Sequence, residues 1–214
     1  TQKIPVKRLG RGDPISQQCH AMADLLGVRL KEVLMAPLPG EQLAVALPGA
    51  GRLCLDPVRC TDMPGARVRF ALGRALTRMY TRSLYLDLLT SEEVDLLLAA
   101  VAENFQRGYA GARPDGPRVV ELARAVGRAL PRKMRKALEG PAGALAASPP
   151  VDTEAWARGA RFIADRVGLV LGGDAVEAHA TLAEERLGRE TMAHLLRFAV
   201  SPHLIEARRR LGLG

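Results

Sequence analysis

The sequence predicts an α+β protein, mostly helical, with a small antiparallel sheet near the N-terminus. Three observations carry this expectation. Apolar residues are 48% of the chain while aromatics are only 4%, so a core built largely from Leu, Ala and Val is affordable over 214 residues. From Pro64 onward the apolar spacing is helical almost to the end. Before it, three short β-like runs (32–37, 42–47 and 52–55) are separated by Pro39-Gly40 and Gly49-Ala50-Gly51, which are turn signals.

Residues 1–13 are polar and basic with two glycines and are expected to form a flexible arm. The rest, 14–214, reads as a single domain with a possible sub-boundary at 140–150, a run rich in Ala, Gly and Pro. Asp13 followed by Pro14 is an N-cap signature, and Ile15, Cys19, Met22, Leu25 and Leu26 give residues 14–28 an apolar helical face. The links between the three β-like runs are short, so antiparallel hairpins are the economical pairing. A helix over 65–81 follows. Thr90 and Glu93 form a capping box before the next helix. Residues 108–116 are a Gly-rich loop, and helices are expected at 117–130 and 131–139. Asp152 caps a helix to about 171, stopped by Gly172-Gly173. Helices near 174–187 and 189–200 come next, and Ser201-Pro202 opens the last one.

The formal net charge is +8 and the isoelectric point is near 10.0. Such a balance suits an anionic partner. However, the basic residues are dominated by Arg, are spread along the chain, and lack interleaved aromatics for base stacking. Nucleic-acid binding is therefore the second expectation and a protein partner the first. No apolar run reaches the ~18 residues of a membrane span, and no apolar N-terminal stretch reads as a signal peptide. The first residue is Thr rather than Met, as expected either for a piece of a longer protein or for a trimmed chain. Cys19, Cys54 and Cys60 are too few and too scattered for a disulfide framework or a zinc pairing, which points to reduced thiols in the cytoplasm. His20, His179, His194 and His203 are scattered likewise. No phosphate-binding or nucleophile motif occurs, and no cofactor or metal is expected.

One segment has the outline of a catalytic motif without its chemistry. Residues 68–80 read VRFALGRALTRMY. The spacing and apolar framing are those of the helix that carries HExxH, with Arg74 and Arg78 at the two His positions and Ala75 at the Glu position. A guanidinium stays protonated and has no lone pair to give zinc. Further on, Arg161-Phe162-Ile163-Ala164-Asp165 contains an Ala-Asp pair preceded by Arg161. Together with residues 30–80 and 155–175, these motifs resemble the gluzincin-type zinc peptidases related to the CAAX prenyl proteases, whose later helix carries E-x-x-A-D. The resemblance implies a helix pair in which the ligand positions 74, 78 and 161 are all arginines, with Asp165 as a former metal-supporting residue now paired to one of them. It implies a catalytically inactive, metallopeptidase-like domain without metal. The strings RFALGRAL, ADRVGLVLGGD and LLRFAVSPHLIEARRRLGL are also similar to the C-terminal non-repeat region of large tetratricopeptide-repeat proteins of myxobacteria. That likeness implies a module within a larger bacterial protein. The C-terminal helices supply Leu195, Phe198 and Leu204 beside Arg208 and Arg209, a candidate interaction patch.

Overall fold

The computed structural model describes residues 6–49, 51–63, 65–109, 115–149, 151–185 and 188–213. In chain order the elements are β1 (Lys7–Arg8), α1 (Pro14–Leu25), β2 (Glu32–Met35), β3 (Ala44–Leu47), β4 (Arg52–Leu55), α2 (Pro57–Asp62) and α3 (Gly65–Thr81). Then come α4 (Tyr85–Leu88), α5 (Ser91–Phe105), α6 (Gly116–Ala129) and α7 (Arg132–Ala147). The last are α8 (Thr153–Gly172), α9 (Ala175–Glu184), α10 (Arg189–Ala199) and α11 (Pro202–Arg210). The class is α+β and mostly helical.

The chain forms two compact units rather than one. The first runs through Leu84 and resumes at Arg158; the second is Tyr85–Ala157. The sub-boundary expected at 140–150 is replaced by helix: α7 continues through Pro141, and Ala142 is buried. Part of the Gly-rich loop, residues 110–114, lies outside the described residues.

In the first unit the sheet order is β1-β2-β4-β3. The pairs β1–β2 and β3–β4 are antiparallel, but β2 and β4 are parallel, with Val33 opposite Leu53. The sheet is thus mixed, which corrects the antiparallel expectation. The reason is β4. Leu53, Cys54 and Leu55 are all buried, a continuous apolar run that belongs in a central strand, so β4 takes the place beside β2 and pushes β3 to the edge. Gly49 and Gly51, at φ of 99° and 73°, close the tight β3–β4 turn. The basic arm is corrected too, since Lys7 and Arg8 pair with β2 and the buried Leu9 donates its N–H to Val33 at 2.9 Å.

Helices α1 and α3 cover this sheet. Asp13 caps α1 through the N–H groups of Ile15 and Ser16. Cys19, Met22 and Ala23 of α1 and Val68, Leu72 and Leu76 of α3 share one core with Val33, Leu53 and Leu55. A second cluster lies between Phe70 of α3, Leu169 of α8, Ala178 and Leu182 of α9, and Leu195 of α10.

The second unit is a small helical assembly. The Thr90–Glu93 capping box starts α5, and Asn104 donates to the carbonyls of Ala100 and Ala123 at 2.9 and 2.8 Å, tying α5 to α6. Asp152 accepts from the N–H of Ala155 and starts α8.

Candidate functional site

Helix α3 places position 74 toward α8 and α9. Glycines permit the approach. A Cβ on Gly73 would sit 2.8 Å from the Gly168 Cα, and one on Gly168 would sit 2.8 Å from the Phe70 carbonyl oxygen. Gly172 is almost as close, 3.1 Å from the Ala66 oxygen. The two helices therefore pack backbone to backbone over α8's last two turns. Polar ends are dealt with locally, as Arg69 donates to the Gly172 carbonyl at 3.3 Å and Arg208 to that of Val170 at 2.7 Å. Cations on the last carbonyls of a helix suit its dipole.

At the centre of this contact lies a buried charge cluster. Arg74 Nε is 2.8 Å from Asp165 Oδ1, and the two side chains are only 6% and 1% exposed. Arg74 Nη1 donates to both carboxylate oxygens of Glu185 at 2.8 Å. The guanidinium also lies 5.5 Å from the Phe70 ring centroid. The Asp165 contact is close but poorly aligned as a hydrogen bond. Burial pushes the Asp165 carboxyl up, Arg74 and then Arg78 pull it down, Glu185 pushes it up again, and the net position is above the ordinary carboxylate range. Half-buried Arg78 thus acts on the same carboxyl.

The structure brings together Arg74, Arg78 and Asp165 but leaves out Arg161, which is exposed. This corrects the expectation of three arginines facing one region. Arg161 lies seven residues before Gly168, about 10 Å along the helix, and at that distance from the close contact its side chain is in solvent. Ala75 is buried in the core beneath the sheet.

Zinc does not fit these residues. Arg74 and Arg78 cannot ligate, and the Arg74 guanidinium fills the space between the two carboxylates. Among the described residues, no three His, Cys, Asp or Glu side chains group as a metal site would need. Burial pushes the Cys19 thiol up to about 12 and the Cys60 thiol to about 11, so neither is a thiolate near neutrality.

The sequence reading missed Glu185 and a second ion pair set, Arg67 of α3 with Glu177 at 3.1 Å and Glu184 at 2.8 Å. The signal was present. Glu177 and Glu184 are seven apart, two turns on one helix face, so both side chains can lean toward the same guanidinium.

Helices α8 and α10 run parallel, joined at four-residue steps. Arg158 meets Glu190 at 3.9 Å, Phe162 stacks on His194 with centroids 3.8 Å apart, and Arg166 lies over the Phe198 ring at 5.4 Å. Arg166 also reaches His194 Nε2 at 2.7 Å. A guanidinium can only donate, so Nε2 accepts and the imidazole is neutral. Burial, Arg166 and Arg197 push the His194 pKa down, against Glu190.

The expected interaction patch is corrected. Leu195 is buried, and Phe198 and Leu204 pack against the second core cluster. Arg208 is committed to backbone carbonyls, those of Val170 and Leu213. Arg209 alone of that set is exposed, paired with Glu206. Leu195, Phe198 and Leu204 thus close the second core cluster.

Comparison with protein families, with curated proteins and with solved structures finds no match. Among the described residues, no helix is long and apolar enough to cross a membrane.

Proposed function

We propose that this chain is a catalytically inactive, metallopeptidase-like domain that serves as a structural or protein-interaction module of a larger bacterial protein. One observation carries the reading: the Arg74 guanidinium, at the position of a first zinc ligand, is buried between Asp165 and Glu185. Charge pairing replaces coordination there. Position 75, where the motif would carry its general base, holds a buried alanine. With Arg74 and Arg78 against Asp165 and Glu185, the cluster is balanced in charge, the condition under which buried ions are tolerated.

The test is metal content and hydrolysis together. Protein purified without chelator is expected to carry well under one zinc per chain and to leave casein and short peptides intact, with or without added zinc. One tightly held zinc per chain, or chelator-sensitive peptide cleavage, would overturn the reading.

A second reading, a basic nucleic-acid-binding domain, is favoured by charge in the first unit, which holds 22 Lys and Arg against 13 Asp and Glu. Against it, Arg67, Arg69, Arg74 and Arg208 are all committed to internal carboxylates or carbonyls. Binding by dispersed charge alone sits near ~10⁻⁴–10⁻⁶ M and weakens steeply with salt. Nanomolar affinity for a defined oligonucleotide in near-physiological salt would promote this reading to first place.

A further inference from the structure

We propose that the corner between α6 and α7, in the second unit, binds the phosphate backbone of double-stranded DNA without reading its sequence. Over the whole chain the cations are dispersed, but in this unit they are not. Tyr85–Ala157 holds nine Lys and Arg against ten Asp and Glu. Six of those nine fall within residues 124–136: Arg124, Arg128, Arg132, Lys133, Arg135 and Lys136. No acid lies between Glu121 and Glu139. A unit with no excess of cations has thus gathered most of them in one stretch.

Local geometry puts the six on one corner. Only Leu130 and Pro131 separate α6 from α7. Arg124 and Arg128 lie one turn apart near the end of α6, and Arg132 and Lys136 one turn apart at the start of α7. Four residues join Arg128 to Arg132, so their Cα atoms are within about 14 Å. Arg135 reaches back across the corner, and its guanidinium donates to the carbonyls of Gly127 and Leu130, the latter at 3.2 Å. That contact ties the start of α7 to the end of α6. All six side chains are exposed. Residues 132–137 are exposed without exception, more than a full turn, so α7 starts clear of the unit and buries only Ala142 further on. Among the described residues, Arg124, Arg128, Arg132, Lys133 and Lys136 make no ion pair. Arg132 and Lys133 also lie in a first turn without an acid, where the helix dipole disfavours cations, so folding does not account for them.

The chemistry of the corner decides between partners. A protein partner needs an apolar centre to its interface, and a bilayer needs an apolar helix face. The one large apolar side chain exposed in this stretch is Met134. A single strand needs aromatic rings on which its bases stack, and residues 116–147 contain none. A duplex backbone needs only closely spaced cations, and the major groove of DNA admits a bare α-helix. The inference rests on the second unit alone and is independent of the α3–α8 charge cluster and of the excess charge of the first unit.

Fluorescence anisotropy of a labelled, random-sequence DNA duplex titrated with the 214-residue chain tests it. A Kd of about 10⁻⁴–10⁻⁶ M is expected near physiological salt, with a log–log salt slope of about −5 for six phosphates neutralised. The double variant R132Q/K133Q should lose at least about tenfold in affinity and about two units of that slope. R124Q/R128Q, on the other side of the corner, should do the same. R209Q/R210Q, which replaces two exposed arginines of α11, should bind as the parent does. The replaced side chains are all exposed and Arg135 keeps its brace, so circular dichroism should show an unchanged fold; if one corner variant fails to fold, the other decides. Absence of binding at low salt overturns the proposal. Equal losses in R209Q/R210Q and R132Q/K133Q overturn it too, since the binding would then come from dispersed charge. Tighter binding of polyglutamate than of the duplex overturns it and passes the corner to an acidic protein, and tighter binding of the matching single strand overturns the duplex.

Discussion

Arg74 and Asp165 face each other across the α3–α8 contact at 2.8 Å, both nearly sealed from solvent. The contact is possible only because Gly73 and Gly168 let the helices meet without intervening side chains. A small-residue seam thus holds a large, charged one in place, and the energetics of each depends on the other.

Removing one partner should be expensive. Arg74→Ala leaves the buried Asp165 and the half-buried Glu185 without their guanidinium. Breaking a buried pair costs about 3–5 kcal/mol. Urea unfolding should show that loss, whereas a variant that removes charge on both sides, R74M/D165L/E185Q, should recover most of it. Equal destabilisation of the two variants would mean that Arg74 matters for packing and not for charge.

The pH dependence of stability should separate two aspartates of opposite character. Asp165 has a folded pKa raised above 3.8, chiefly by burial. Its contribution is therefore greatest below the unfolded pKa and declines as pH rises through the folded one. Asp56 is the reverse. Burial would raise it, but it accepts the N–H groups of Arg59, Leu38 and Val58 beside the Arg59 guanidinium, and the net shift is below 3.8. Its contribution is present above the unfolded pKa and lost as pH falls through the folded one. Relative to the parent, D165N should therefore gain stability as pH rises above about 4. D56N should lose its disadvantage as pH falls below that value. Chemical denaturation of all three proteins across this range checks both signs.

Two glycines in one helix should answer the same substitution in opposite ways. Gly168→Ala puts a methyl 2.8 Å from the Phe70 oxygen and 2.9 Å from the Arg74 Cγ. Overpacking of this kind costs about 1–3 kcal/mol. Gly159→Ala, nine residues earlier in α8, meets nothing within 4 Å. It should stabilise by about 0.5–1 kcal/mol through helix propensity. Thermal melts of the pair distinguish a tight seam from a loose one; destabilisation of equal size in both would refute the seam.

What was legible in the sequence was local. Asp13, Thr90 with Glu93, and Asp152 announced helix starts because a cap is a contact between near neighbours, and all three make it. Ser201 did not, since its hydroxyl donates back to the Phe198 carbonyl instead. The parallel β2–β4 pairing was not legible, because strand order is set by which run can be buried on both faces, and Leu53-Cys54-Leu55 says so only once the neighbouring helices are in place. The site shows the same division. Asp165 beside an arginine was an implication of the resemblance between two helices and a known motif, but Glu185 enters from the end of α9, and no spacing within α3 or α8 points to it. Leu195 and Phe198 looked like surplus apolar surface on short helices until Phe70 and Leu169 supplied the cluster they close.

Zinc affinity can be asked of the positions that the motif resemblance assigns to its ligands. Since Asp165 and Glu185 face position 74 while Arg161 is in solvent, the carboxylates available to a metal are the two already paired there. The double variant R74H/R78H removes both guanidiniums and presents two imidazoles four residues apart on one helix face, leaving the buried Ala75 untouched. Two imidazoles with a carboxylate form an ordinary zinc set. Titration calorimetry should find one zinc per chain, with affinity about 10–100-fold below that of a site whose supporting hydrogen bonds are intact. Adding Arg161→Glu should change nothing, and adding Asp165→Asn should weaken the binding. If the variant folds and takes up zinc only when position 161 is also glutamate, the ligand on this face of α8 is position 161, one turn before Asp165, and not Asp165. If neither variant binds, the helix pair holds a charge cluster and no trace of a metal centre.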